Sequence, residues 1–171
     1  TANIALIAPF AGIGDAFKWN NTDLATKKAF KGVYDGGNFA ITNVKLDNTA
    51  ANANSGKYQG LFNSVFGGTV KNLTVGFVDA SAEAGDHSVA VVGNLLSDNV
   101  GQAVVSNVTT LEGLVNVTHN SAGIVNMTRD CGDAAAPVIE YCTNNLSRSF
   151  RYSAENNAAN LNVRTGNIDF N

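Results

Sequence analysis

Apolar and polar residues alternate along two stretches of the chain, TVKNLTVGF (69–77) and AVVSNVTTL (103–111). A period of two puts every second side chain on one face of an extended strand, and the β-branched Val and Thr in these runs suit a pleated surface. The stretch FKGVYDGGNFAITNVKL (30–46) joins two further strand-like runs through a DGG turn. No window of about a dozen residues carries convincing apolar positions at i, i+3, i+4 and i+7, apart from a weak match over 23–30. The pattern predicts short strands joined by tight turns.

Two short patterns recur. The first is Gln59-Gly60-Leu61-Phe62-Asn63, then Ala90-Val91-Val92-Gly93-Asn94, then Ala122-Gly123-Ile124-Val125-Asn126, with asparagines 31 and 32 positions apart. Ahead of the last two, His87 and His119 keep the offset of 32. The second is apolar-polar-Asn-apolar: Ile41-Thr42-Asn43-Val44, Val70-Lys71-Asn72-Leu73 and Val105-Ser106-Asn107-Val108. A degenerate copy, Ile139-Glu140-Tyr141-Cys142, follows, and the central residues are 29, 35 and 34 positions apart. Two interleaved patterns on one beat of about 30 to 35 residues are the signature of a repeat architecture.

Because the texture between the repeats is strand and turn, the expected fold is all-β: a parallel β-helix, or β-solenoid, of about four to five coils. The main alternative is a β-sandwich, which also suits short alternating strands. In a solenoid, residues one coil apart lie at the strand spacing of about 4.7–4.9 Å, so equivalent apolar positions stack into a core. Val44, Leu73 and Val108 form one expected column, and Leu61, Val92 and Ile124 another. Asparagine at a coil corner can bond its neighbour's amide above and below, giving a ladder. Asn43, Asn72 and Asn107 are expected to form one ladder, and Asn63, Asn94 and Asn126 a second. The competing reading makes them ordinary turn asparagines.

FKGVYDGGNFAITNVKL followed by YQGLFNSVFGGTVKNLTV resembles the GLUG-type repeat of bacterial surface and secreted proteins. The resemblance is good over residues 30–77 and weaker over 86–145. It implies a right-handed parallel β-helix, usually one part of a larger extracellular protein, and it carries over no catalytic residues. The sequence departs from the repeat at VVGN and GIVN, where the family prefers G-G-L-(V/A)-G, and at Tyr141 in place of the fourth asparagine. The chain divides accordingly into a cap or first coil (1–29), recognisable coils (30–145) and a C-terminal coil or edge segment (146–171), all in one domain.

Composition adds constraints. The 171 residues include 24 Asn against 11 Lys+Arg, and asparagine favours turns over helices. A net charge of -3 leaves no basic face for nucleic acid or anionic membrane. No apolar run approaches the roughly 18 residues of a membrane helix. The chain begins at Thr1 without Met, so a mature form or a fragment is expected, with any signal peptide removed. Cys131 and Cys142 are expected to close a local disulfide in an extracellular setting and to be buried thiols in a cytosolic one.

Candidate chemistry is sparse. Asp79, Glu83 and Asp86 form the densest acidic group and Asp130, Asp133 and Glu140 a second, both read as solvated turn residues rather than a lyase or hydrolase site. His87 and His119 could stack on adjacent coils, but two imidazoles without an evident third ligand make a poor metal site, so no metal or cofactor is expected. No nucleophile elbow appears, and the glycines of GVYDGG precede a strand rather than a helix. Six N-x-S/T triplets occur, at Asn20, Asn72, Asn107, Asn116, Asn126 and Asn145, where composition alone gives roughly three. Asn20, Asn116 and Asn145 are the expected acceptors if glycans are added, since a stacked asparagine cannot carry one.

The function expected from these features is a non-enzymatic extracellular structural or adhesive surface module. It could also act as a self-assembling filament subunit that stacks through its β-edges. Its partners would be further copies of itself, a larger parent chain, or a host or cell-surface glycan or protein. The rival is a carbohydrate-binding or polysaccharide-acting β-helix protein. Trp19 is the lone Trp and no aromatic stripe follows the period, which disfavours the rival.

Overall fold

The structure, a computed structural model, describes residues 2–16, 28–47, 58–78, 89–98, 101–117, 123–129, 135–150, 162–164 and 169–170. Among these residues every regular element is a strand: β1 (Ile4–Ala5), β2 (Val33–Val44), β3 (Phe62–Phe66), β4 (Thr69–Phe77), β5 (Val92–Leu96), β6 (Val104–Val117), β7 (Val125–Arg129), β8 (Val138–Glu140), β9 (Cys142–Phe150), β10 (Asn162–Arg164) and β11 (Asp169–Phe170). The protein is all-β over this part. No helix among the described residues is long and apolar enough to cross a membrane.

The strands form two sheets. The larger runs β1-β2-β4-β6-β9-β10, with β8 also on β6 and β11 on β9, and the smaller runs β3-β5-β7. From β2 to β8 the chain visits the two sheets in turn, β9 follows β8 in the larger sheet, and successive visits to each sheet pair in parallel. Parallel neighbours cannot be joined by a tight hairpin; each pair needs a crossover, and here the crossover contains a strand of the other sheet.

The sequence alternation becomes the inside and outside of the larger sheet. In β4, Val70, Leu73, Val75 and Phe77 are buried while Lys71, Thr74 and Gly76 are half-buried. The phase slips at Asn72, which takes a left-handed conformation with φ of 53°. One such residue re-aims the strand, so two apolar residues three positions apart, rather than two, both face inward. The same slip occurs at Asn107 (φ 52°) between Val105 and Val108, and at Tyr141 (φ 53°) between Ile139 and Cys142.

Register then stacks the inward residues. Val70 lies beside Val105 and Val105 beside Ile139, while Leu73 lies beside Val108. Two expected core columns are corrected here. Val44 pairs with Phe77, and Phe39 takes the place beside Leu73, because β2 contains extra residues between Asp35 and Phe39 and between Ile41 and Val44. In the smaller sheet Phe62 pairs with Val92 and Val92 with Val125, so Val91, not Val92, stands between Leu61 and Ile124. A slip of one residue exchanges the two faces of a strand, and Asn-to-Asn spacing misplaced this copy by one.

Phe62, 1% exposed, ties the two sheets together: its ring centroid lies 5.2 Å from that of Phe30 and 5.3 Å from that of Tyr34. Towards β9 the inward column turns polar, running Ile41, Val75, Thr110, Asn144. Thr110 Oγ1 donates to Asn144 Oδ1 at 2.6 Å, and the N–H of Leu146 donates to the same Oδ1 at 3.2 Å. Burial of these two side chains is tolerated because each has a partner.

The outer edges of the larger sheet differ. Among the described residues β1 pairs with β2 at Ile41 and Thr42, and Asn3 Oδ1 accepts the N–H of Ala40 at 2.8 Å just before them. The far edge of β9 carries β10 and β11, both antiparallel to it.

Candidate functional site

The left-handed residues of the larger sheet build a polar corner. Register places Asn72 beside Asn107, since Lys71 pairs with Ser106 and Leu73 with Val108. Tyr141 comes next, since Ser106 pairs with Glu140 and Thr109 with Thr143. On the other side of Asn72 stands Asn38 (φ 62°), not Asn43: Asp35 pairs with Lys71 and Phe39 with Leu73, leaving residues 36–38 opposite Asn72 alone. The expected ladder of Asn43, Asn72 and Asn107 is corrected at its first member. Asn43 does adopt the same left-handed turn (φ 56°), but it is exposed and lies opposite Gly76, at the second irregularity of β2. With Asn38 in the column the steps become 34 and 35 residues, and the outlying spacing of 29 disappears.

Asparagine suits this corner because its short amide tolerates positive φ. The amides also bond one another in a fixed sense. Asn107 Nδ2 donates to Asn72 Oδ1 at 2.9 Å and to Asn38 Oδ1 at 3.2 Å. Asn72 Nδ2 donates in turn to Asp35 Oδ1 at 3.0 Å. Asp35 also accepts the N–H of Gly37 at 3.0 Å, and Lys71 Nζ lies 3.4 Å from its other oxygen. The Asn72 amide foremost, then the Gly37 N–H and the Lys71 ammonium, hold the Asp35 carboxyl below the ordinary aspartate value of 3.8. Gly36 is needed beside it: a Cβ there would come within 2.5 Å of the Asn72 carbonyl oxygen.

An ionised carboxylate only accepts, so Asp35 sets the polarity of the whole chain of amides. Each donates back towards β2, which leaves Asn107 Oδ1 as the last acceptor, and register sets one more position beside Asn107. That position is Tyr141, 68% exposed and left-handed. For a bulky side chain this conformation costs roughly 1–2 kcal/mol, with no burial to offset it.

The second expected ladder is rearranged. Asn63 stands beside Gly93 and Gly93 beside Asn126, whereas Asn94 lies between Ser64 and Met127. Gly93 packs too closely for a side chain, since a Cβ would come within 2.6 Å of Tyr58 O and 2.7 Å of Asn63 O. The amides here bond backbone rather than one another. Asn63 Nδ2 donates to Ala11 O (2.8 Å) and Gly14 O (2.9 Å), and Asn63 Oδ1 accepts the N–H of Gly60 at 3.2 Å. Asn94 Nδ2 donates to Asn63 O at 3.1 Å, and Asn126 Nδ2 to Gln59 O at 3.3 Å. Asn63 and Asn94 are buried, so they serve as internal stitches.

Beside the corner, a groove of about 240 Å³ opens along β2, lined by Ala2, Ile4, Tyr34, Asp35, Phe39 and Leu73 among others. The N–H of Thr69 donates to Gly32 O, so by alternation the backbone of Val33 and Asp35 points to the opposite side, where no described strand pairs with it. Val33 is 68% exposed there. Sequence reading missed this edge and Asn38; the signal for Asn38 was the uniform 34–35 spacing, masked by the ITNV copy of the motif.

Other expected residues fall as follows. Cys142 is a buried free thiol whose Sγ lies against Glu140 O and Val105 O, and burial pushes its pKa up; Cys131 lies outside the described residues. Asn145 is half-buried in β9 and its N–H donates to Thr110 Oγ1 at 3.0 Å. Asn116 belongs to β6 and pairs with Ser149, its side chain not being described. Asn20, Trp19, His87, His119, Asp79, Glu83, Asp86, Asp130 and Asp133 lie outside the described residues. Among the described residues no three His, Cys, Asp or Glu side chains gather as metal ligands. Comparison with protein-family models, curated proteins and solved structures gave no match.

Proposed function

We propose that the chain is a right-handed parallel β-helix of the GLUG-repeat kind, and that it works as a non-enzymatic structural or adhesive module on an extracellular surface. The observation that supports this reading most is the regular traverse between two parallel sheets, with columns Val70–Val105–Ile139 and Asn38–Asn72–Asn107–Tyr141 in register. Such stacking makes a stiff shaft whose outward residues repeat at fixed intervals, a geometry suited to display rather than to a single reactive centre.

The filament variant draws support from one end only. The stretch of β2 from Val33, which no described strand covers on this side, could accept an added strand, while β10 and β11 lie antiparallel across β9 and would have to leave for head-to-tail stacking. A one-ended attachment to a larger partner fits this arrangement better.

The test is to incubate the labelled protein with intact bacterial and host cells and with a panel of polysaccharides. Retention on cell surfaces with no release of new reducing ends is the expected result. Turnover of any polysaccharide would overturn the non-enzymatic reading, and absence of retention on every surface would overturn the adhesive one. Negative-stain electron microscopy over a range of concentrations should show discrete short particles; long filaments of uniform width would restore the filament variant.

A further inference from the structure

We propose that Tyr141 and the amide rank ending at Asn107 form a binding site for a neutral saccharide. This deepens the adhesive reading and rests on it for its biological sense. Three observations meet at one spot. Tyr141 occupies a column whose other members are asparagines, which reach positive φ far more readily, and it is 68% exposed, so packing does not explain it. Strained residues held in place without a packing reason are where functional roles concentrate.

The second observation is the direction of the hydrogen bonds. Both amide protons of Asn107 have protein acceptors, Asn72 Oδ1 and Asn38 Oδ1. An asparagine at the next position would donate to Asn107 Oδ1 and continue the ladder; with tyrosine in its place, Oδ1 of the exposed Asn107 has no donor among the described residues. An oriented acceptor beside an exposed aromatic face matches a pyranose ring. Its apolar C–H face lies on the tyrosine and a ring hydroxyl donates to Asn107 Oδ1.

The third observation is the surrounding chemistry. Thr109 and Thr143, in register with one another and half-buried, each lie two positions beyond a corner residue, Asn107 and Tyr141, and Glu140 immediately precedes the tyrosine. Together with the overall charge of -3, the Glu140 carboxylate disfavours uronates and other acidic sugars. The strand spacing of about 4.8 Å lets a linear β-linked chain laid along the column meet successive passes of the backbone.

The experiment is affinity electrophoresis and calorimetry of the full chain with cellohexaose, chitohexaose, polygalacturonate and a glycoprotein bearing neutral N-glycans. Three proteins are compared: wild type, Tyr141→Phe and Tyr141→Asn. All are made in a host that does not glycosylate, since Tyr141→Asn creates an N-x-T triplet. Wild type should bind at least one neutral probe; free hexasaccharide binding points to a polysaccharide ligand, and binding to the glycoprotein alone points to surface glycans. Tyr141→Phe should stay within about twofold, and Tyr141→Asn should weaken binding by about tenfold or more. The thermal midpoint of Tyr141→Asn should rise by about 2–4 °C as the left-handed strain is relieved, which separates lost binding from lost folding. No binding to any neutral probe, binding only to polygalacturonate, or equal binding by wild type and Tyr141→Asn would overturn the proposal. Cell retention that persists in any of these cases would leave the adhesive reading standing.

Discussion

Two groups of asparagines serve this molecule, one stacked at the corner and one set at staggered positions of the smaller sheet, and they use the same side chain for opposite purposes. In the corner column, Asn38, Asn72 and Asn107 take positive φ and bond one another's amides near solvent. In the smaller sheet, Asn63 and Asn94 are buried, lie within a strand, and give their amides to backbone carbonyls. At the corner the asparagine is chosen for its backbone; inside, it is chosen for its donors and acceptors. Repeat spacing alone does not separate the two roles, but burial does.

The contrast predicts different responses to the same substitution. Asn63→Ala should be the most damaging, because Ala11 O, Gly14 O and the N–H of Gly60 all lose their partner, the last of them in a fully buried bond. A loss of about 3 kcal/mol in urea unfolding is expected, and Asn63→Gly should be no better. At the corner the order changes. Asn72→Ala should cost about 1–2 kcal/mol, chiefly from left-handed strain, while Asn72→Gly should recover most of it. If alanine and glycine prove equal at Asn72, the conformational account of the corner is wrong.

The smallest expected effect is electrostatic. Asp35 has a depressed pKa in the folded protein, so its contribution is fully present above its ordinary value of 3.8 and fades as the pH falls through the lower folded value. Thermal scans from pH 7 to pH 2.5 should therefore show wild type and Asp35→Asn keeping a constant difference down to about pH 4, with the two converging only below it. Convergence near neutral pH would mean that some other group orders the amide rank.

Much of the fold was legible in the sequence, and the reason is local. The string apolar-polar-Asn-apolar records a phase slip in the inward alternation, and Asn43, Asn72, Asn107 and Tyr141 all turned out left-handed. Register was less legible. Asn43 has the right local string but the wrong place in the stack, because Gly36, Gly37 and Asn38 oppose a single residue of β4. An irregularity of that kind is a property of two strands, and one strand's text does not report it. The Asn63–Asn94 alignment failed for a related reason: a glycine, Gly93, fills the column and asparagine is displaced by one. The edge beside Val33 was illegible because it depends on which described strand pairs with β2, and β1 does so at Ile41 and Thr42 rather than beside Val33.

The central claim is the parallel register of one pass upon the next, and cysteine cross-linking tests it most directly. Thr74 pairs with Thr109 in adjacent strands, whereas Lys71 pairs with Ser106, three positions away from Thr109. Neighbouring strands bring Cα atoms to about 5 Å, within disulfide range, and a three-residue offset adds roughly 10 Å along the strand. Under mild oxidation the double variant Thr74→Cys/Thr109→Cys should form an intramolecular disulfide, detected by non-reducing peptide mapping, and Lys71→Cys/Thr109→Cys should not. Efficient closure of the second pair, or failure of the first with both thiols accessible, would contradict the register and the fold built on it.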